Sequence, residues 1–266
     1  MFLLKKRYWL TITLLLTTFL VVKNFPAAWV IYGVQKAAPG LQVSGVNGSL
    51  WEGQADYSQW VDRGHTLPLG KLKWRLNGLS ILRLNPCLNF STSISGQTLK
   101  GDVCYSLLSG KAVASDVDVN LPISRVAPYF SVDLNGEVDL YIQKATWHNQ
   151  GLGETELSLL WQRASLFNGN QWLALGNIQG RAKDDANGGL STQWNHVEDA
   201  QQAASPVELD VSVSITQLTQ PKPVLNVSGF ITPGASNSSS RSALNQMLQF
   251  IGEPMGDGSY RINISE

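Results

Sequence analysis

Apolar and polar residues alternate one for one in segment after segment of this 266-residue chain, and that period admits few folds. Leu72, Trp74 and Leu76 alternate with Lys71, Lys73 and Arg75. Leu88, Phe90, Thr92 and Ile94 repeat the pattern, as do Val113, Val117, Val119 and Leu121. Val132, Leu134, Val138, Leu140 and Ile142 alternate with Asp133, Asn135, Glu137, Asp139 and Tyr141. Leu157, Leu159 and Trp161 continue it, then Val207, Leu209, Val211, Val213 and Ile215, then Leu225, Val227 and Ile231, and finally Tyr260, Ile262 and Ile264. Successive side chains of an extended backbone point to opposite faces, so each segment reads as a strand with one dry and one wet side, the pattern of antiparallel sheet. Gly45, Gly48, Gly53, Gly101, Gly136 and Gly229 are read as bulges and bends that curve it. The expected fold is mainly β: a curved antiparallel sheet, half-barrel or sandwich-like, with few short helices. An echo between residues 43–82 and 132–167 suggests a duplicated β-unit, about 41–130 and 131–266.

Helix is sparse. Pro122 to Tyr129 reads as a short helical turn. Leu244, Met247, Leu248 and Ile251 fall on one face of a helix, with Ser242 as its expected cap, and the stripe is expected to lie on the dry sheet face or plug one end. Gly234 to Ser242, Asp184 to Gly189 and His196 to Ser205 read as loops.

Net charge is zero, 20 Lys and Arg against 20 Asp and Glu, which speaks against nucleic acid as a partner. The zero is a cancellation. Residues 1–36 hold Lys5, Lys6, Arg7, Lys23 and Lys36 and no acid, so the remainder carries an excess of five acids. Tyr8 to Val22 is an uncharged, apolar-rich run of 15 residues, roughly 22 Å of helix against roughly 30 Å of bilayer hydrocarbon. Trp9 and Trp29, 20 residues apart, match two aromatic belts about 30 Å apart on a continuous helix. A cleaved signal peptide is the alternative reading, but cutting after Ala28 or Ala27 puts Pro26 or Phe25 where a small residue is wanted. The expectation is a basic start over 1–7, a retained single transmembrane helix over 8–32, and a β-rich domain over 33–266. Lys5, Lys6 and Arg7 would stay cytoplasmic by the positive-inside rule, and everything after residue 36 would be exported.

In an oxidising compartment the two cysteines, Cys87 and Cys104, with 16 residues between them, suggest one disulfide. The search for chemistry finds little. His65, His148 and His196 sit in polar, loop-like contexts without ligand-spaced partners, and no zinc-protease, nucleophile-elbow or phosphate-loop motif occurs. Asp133, Glu137 and Asp139 share a strand face, which any solvated sheet face also explains. Trp51, Trp60, Trp74 and Trp161 fit a sugar or lipid surface or, more commonly, a core. No catalytic, cofactor or metal residues are assigned, and the chain is not read as an enzyme.

The most specific string is Gly48-Ser49-Leu50-Trp51-Glu52-Gly53, followed by Leu72-Lys73-Trp74 and Asn85-Pro86-Cys87. With the basic start, the anchor and the cysteine pair, this order resembles the protein N family of the type II secretion system. The resemblance implies a non-enzymatic inner-membrane accessory component that helps export folded proteins from the periplasm across the outer membrane, with other components of that system as partners. Similar short strings occur in inner-membrane-anchored proteins of the AsmA type, which implies as alternative a periplasmic protein that binds or transfers lipid or another apolar ligand.

Overall fold

The computed structural model describes residues 2–62, 64–127, 132–148, 151–184, 189–197, 207–216, 224–234 and 238–265. Two compact units divide it, Met1–Ile94 and Ser95–Glu266.

The first unit opens with two helices, α1 (Phe2–Lys23) and α2 (Ala27–Ala37). Four strands follow, β1 (Leu41–Gly48), β2 (Glu52–Asp62), β3 (His65–Leu76) and β4 (Cys87–Ile94), with the short α3 (Gly78–Leu82) before the last. Each of these strands pairs antiparallel with the next. Facing residues fall in transverse rows, for instance Gly53–Trp74–Phe90 and Ala55–Leu72–Thr92. Helix α2 covers the dry side: Ala27 and Ile31, one turn apart, pack with Ala55 and Trp74, flanked by Val43, Val46, Leu72 and Leu88.

This arrangement corrects the transmembrane segment expected over 8–32. The chain before a proline is held out of the helical region, and Pro26 is itself extended (φ −64°, ψ 135°), so α1 stops at Lys23. Residues 27–31 serve the sheet instead. Trp9 and Trp29 therefore stand on different helices and do not measure 30 Å along one. Among the described residues no helix is long and apolar enough to cross a membrane. What α1 does present is an uncovered apolar surface, with Trp9, Leu14, Leu15 and Phe19 all exposed. Its hydroxyls are folded away: Thr11, Thr13, Thr17 and Thr18 donate to the carbonyls of Tyr8, Trp9, Thr13 and Leu14, each at 2.8 Å.

The second unit contains β5 (Gln97–Ser106), β6 (Lys111–Pro122), β7 (Leu134–His148), β8 (Gly151–Phe167), β9 (Trp172–Asp184), β10 (Leu190–Val197), β11 (Val207–Thr216), β12 (Val224–Pro233), β13 (Glu253–Pro254) and β14 (Tyr260–Ser265). Strands β5 to β12 pair with their sequence neighbours; β14 then pairs with β12, and β13 with β14. Both units are single-layer meanders, so the sandwich alternative is not realised in either. A one-turn 3-10 helix, Ile123–Arg125, stands where the Pro122–Tyr129 turn was expected; residues 128–131 lie outside the described residues.

One row of the dry face runs through nine strands of the second unit: Leu99, Val119, Leu140, Leu159, Gly180, Trp194, Val211, Gly229 and Ile262. Val117–Ile142–Leu157–Ala182 and Leu121–Val138–Trp161–Ile178 flank it. Helix α4 (Ser238–Ile251) covers part of this face, its Leu244 and Leu248 packing with Val207 and Tyr260 against Leu175, Ile231 and Met247. The apolar stripe is thus confirmed at Leu244, Met247 and Leu248. The boundary is corrected: the helix begins at Ser238, so Ser242 is an interior residue, and residues 238–242 are helix rather than linker. Val132 is likewise no strand residue; it precedes β7 and is 50% exposed.

Two bulges set two residues against one glycine: Asp116 (φ 51°) and Val117 face Gly101, and Arg163 (φ 50°) and Ala164 face Gly136, so the glycines mark the places while the extra residues carry no sequence signal.

Trp74 lies beneath α2, whereas Leu140 is only half-buried on an open face. Trp74→Asp is therefore expected to cost about 3–5 kcal/mol and Leu140→Asp only about 1–2 kcal/mol. Denaturant unfolding of the two variants checks the order; equal costs would place Trp74 outside a covered core.

Candidate functional site

The string Gly48–Gly53 folds as the connection between β1 and β2, and its side chains fasten the exit of α1 to the sheet. A helix ends with carbonyls that lack intrahelical partners. At the end of α1 the Trp51 indole Nε1–H donates to the Val22 carbonyl at 2.8 Å, and Asn24 Nδ2 donates to that of Leu20 at 2.8 Å. The Leu50 amide donates to the Phe25 carbonyl at 2.8 Å, and Pro26 and Ser49 form an isolated β-bridge. On the sheet side, the Leu76 amide donates to the Trp51 carbonyl at 2.7 Å. Trp51 thus holds α1 with its side chain and β3 with its backbone.

The glycines of the string answer to close approach. A Cβ on Gly53 would stand 2.3 Å from the Trp74 ring and 2.8 Å from the Asn47 carbonyl oxygen. Gly48 has φ +99°, and a Cβ there would meet the Glu52 carbonyl oxygen at 2.6 Å. Gly53 therefore lets Trp74 lie flat across β2 into the core under α2. The six motif residues, Gly48, Ser49, Leu50, Trp51, Gly53 and Trp74, are brought together within one unit; Trp9 and Trp29 are exposed on α1 and α2, and the side chains of Lys5, Lys6 and Arg7 lie outside the described ones.

The other candidate residues do not converge. Glu137 pairs with Arg163 at 2.7 Å, while Asp139 accepts from Asn120 Nδ2 and from Gln162 Nε2. Asp133 precedes β7 and joins neither. These carboxylates tie neighbouring strands on the wet face. Tyr141 donates to Asp116 at 2.9 Å, and that carboxylate holds the phenol above its ordinary range. The histidines correct the loop expectation: His65 opens β3, His148 closes β7 and His196 lies within β10. The stretch after Val197 lies outside the described residues, as do residues 185–188. Among the described residues no group of three His, Cys, Asp or Glu could hold a metal ion. Neither cysteine is free; Cys87 and Cys104, the chain's only two, form a disulfide.

The second feature with functional content is the open dry face of the second unit. Val119, Leu140, Ile142, Leu157, Leu159 and Trp161 are half-buried, the state of apolar residues shielded by row neighbours but with no layer above them. Sequence reading missed Trp194 here. Its ring covers Gly180, and its Nε1–H donates to Thr192 Oγ1 at 2.9 Å. The signal available was a glycine inside an otherwise well-patterned strand.

Comparison with known proteins agrees with the motif. A family model described as type II secretion system (T2SS), protein N matches residues 39–263. The type II secretion system protein N of Aeromonas hydrophila is 26% identical over 252 residues, covering 91% of this chain and 90% of that protein. The protein of the same description from Vibrio cholerae serotype O1 is 26% identical over 145 residues, 52% of this chain and 56% of that protein. No solved structure gives a significant match.

Two outcomes are expected. Gly53→Ala should displace Trp74 and lower stability by about 1–3 kcal/mol, read by thermal or denaturant unfolding. Trp51→Phe keeps the ring but removes the donor to Val22, so limited proteolysis across residues 23–26 should accelerate severalfold while the sheet's unfolding midpoint changes little. Unchanged cleavage would mean that the indole does not hold α1.

Proposed function

This chain belongs to the type II secretion system protein N family, and from that membership we propose that it is a non-enzymatic accessory component of the inner membrane that docks other components of the secretion system. The observation that carries the reading is the extent of the match: residues 39–263 take in the strands of both units, up to the last two residues of β14, and the hairpin that holds α1. In this reading α1 seats the chain in the inner membrane. The sheet units stand in the periplasm, where folded proteins await export across the outer membrane. Three observations support the membrane seat: the exposed apolar surface of α1, its inward-bonded threonine hydroxyls, and the basic residues of its first two turns, Lys5, Lys6 and Arg7. The wet face supports docking rather than chemistry, because its charged groups are spent on each other across strands. Lys100–Asp118, Lys144–Glu154, Arg163–Glu137 and Lys183–Glu156 are all paired within 3.1 Å. Exposed pairs of this kind add about 0–1 kcal/mol each, so they shape a surface more than they stabilise a fold.

The open dry face favours a second reading, in which the second unit carries a lipid or another apolar ligand. An aliphatic surface several strands wide without a covering layer is the form such a site takes.

A photoreactive residue placed at Ser158 or Ser212 on the wet face of the second unit, in intact cells, is expected to capture a secretion-system subunit. Capture of none, from either position, would count against docking through that face. Mass spectrometry of the gently purified chain separates the second reading: stoichiometric co-purified lipid supports it, and lipid-free protein removes it.

A further inference from the structure

Formal charge divides at the boundary between the two units. Through Ile94 the sequence holds ten Lys and Arg against three Asp and Glu; from Ser95 onward it holds ten against seventeen. Among the described residues the Lys and Arg ion pairs also divide unequally, four in the second unit and one in the first. In the second unit Lys100, Lys144, Arg163 and Lys183 are each paired with a carboxylate. In the first, Arg75 bonds Glu52 at 2.8 Å, while Lys71 and Lys73 make no ion pair among the described residues.

Lys71, Lys73 and Arg75 alternate along β3 with Leu72, Trp74 and Leu76, so they stand on the wet face, opposite Ser93, Ser91 and Asn89 of β4. Lys73 and Arg75 line a depression of about 510 Å3 together with Trp74, the neutral polar side chains of Asn47, Gln54, Asn89 and Ser91, and one ion-paired acid, Glu52. Gly48 and Gly53 line it as well, and they bracket Trp51, whose indole holds the end of α1. The basic stripe is therefore one strand from the hairpin at which the apolar helix ends.

We propose that this face of the first unit docks on the phosphate headgroups of an anionic bilayer, with Lys71 and Lys73 as the contacting cations and the Asn, Gln and Ser side chains completing the oxyanion's hydrogen bonds. The proposal rests on the reading of α1 as the membrane seat, since a helix end in the bilayer puts the hairpin and its neighbouring strand at headgroup depth. That position, rather than charge alone, favours a lipid surface over an acidic protein. Each lysine near an anionic surface is worth about a fivefold change in occupancy at low salt, and the effect decays within a Debye length.

The test uses the full chain reconstituted in vesicles of phosphatidylcholine alone and in vesicles containing one-quarter phosphatidylglycerol. A water-soluble amine-acylating reagent then reports each lysine by mass spectrometry. Lys71 and Lys73 are expected to be labelled about fivefold less in the anionic vesicles, with labelling regained in molar salt and Lys144 and Lys183 unchanged. Equal labelling of Lys71 and Lys73 in both vesicle types overturns the proposal. So does protection that appears in neutral vesicles and grows with protein density, since a second copy would then be the occupant. A Lys71→Gln, Lys73→Gln double variant, altered only at surface positions, should lose the preference for anionic vesicles without a change in unfolding midpoint. Retention on neutral vesicles through an alkaline carbonate wash reports the seat of α1 separately. If that fails, labelling after simple mixing with anionic vesicles still decides the role of the stripe.

Discussion

A single-layer sheet has one apolar face that nothing in the sheet itself can cover, and the rest of this structure follows from how that face is handled. In the first unit α2 covers it, and the covering is made exact by an absence: Gly53 has no side chain, so Trp74 lies across it and meets Ala27 and Ile31. In the second unit α4 covers only the part around Leu175, Val207, Ile231 and Tyr260. The aliphatic row from Leu99 to Leu159 is left to the mutual shielding of its neighbours. Such a face contributes less stability per residue than a closed core, and a chain that keeps one has a surface to offer.

The hairpin between β1 and β2 joins the two physical regimes of the first unit. On one side is a helix with an apolar exterior and hydroxyls bonded back to its own carbonyls; on the other is a hydrogen-bonded ladder with a wet outer face. Trp51 belongs to both, giving its indole to Val22 and its carbonyl to the Leu76 amide. A motif of this kind needs no reactive group to be worth keeping. Its glycines and tryptophans set the direction in which the helix leaves the sheet, and so determine which face of the unit stands nearest the helix end.

Much of the fold was legible in the alternation. The strands β3, β4, β6 to β8, β11, β12 and β14 and the α4 stripe follow from local pattern, and the disulfide from the pair of cysteines, while β9 and β10 went unmarked. What escaped was decided by contacts distant in sequence or by backbone geometry. Pro26 marks the end of α1, yet whether the next residues would prolong an anchor or turn back over the sheet depended on Ala55 and Trp74, which lie far along the chain. In the bulges opposite Gly101 and Gly136 the extra residues are Asp116 and Arg163, not glycines. In one of them the twist is held by a side-chain bond, Asn177 Oδ1 accepting from the Arg163 amide, which no spacing rule anticipates. The charge division was visible from composition, but its boundary was placed at residue 36 by the helix reading. The structural boundary at Ile94 moves Lys71, Lys73 and Arg75 into the basic unit and gives the division a surface.

The functional account makes the chain a stationary part of an export machine: seated by α1, held in orientation by the Gly48–Gly53 hairpin, and presenting sheet faces instead of a reaction centre. The measurement that bears on it most directly is the location of folded cargo in cells from which the chain has been deleted. The account predicts that cargo accumulates, folded, in the periplasm and that the wild-type chain restores its release. Release to the medium at an undiminished rate from the deleted cells would contradict it.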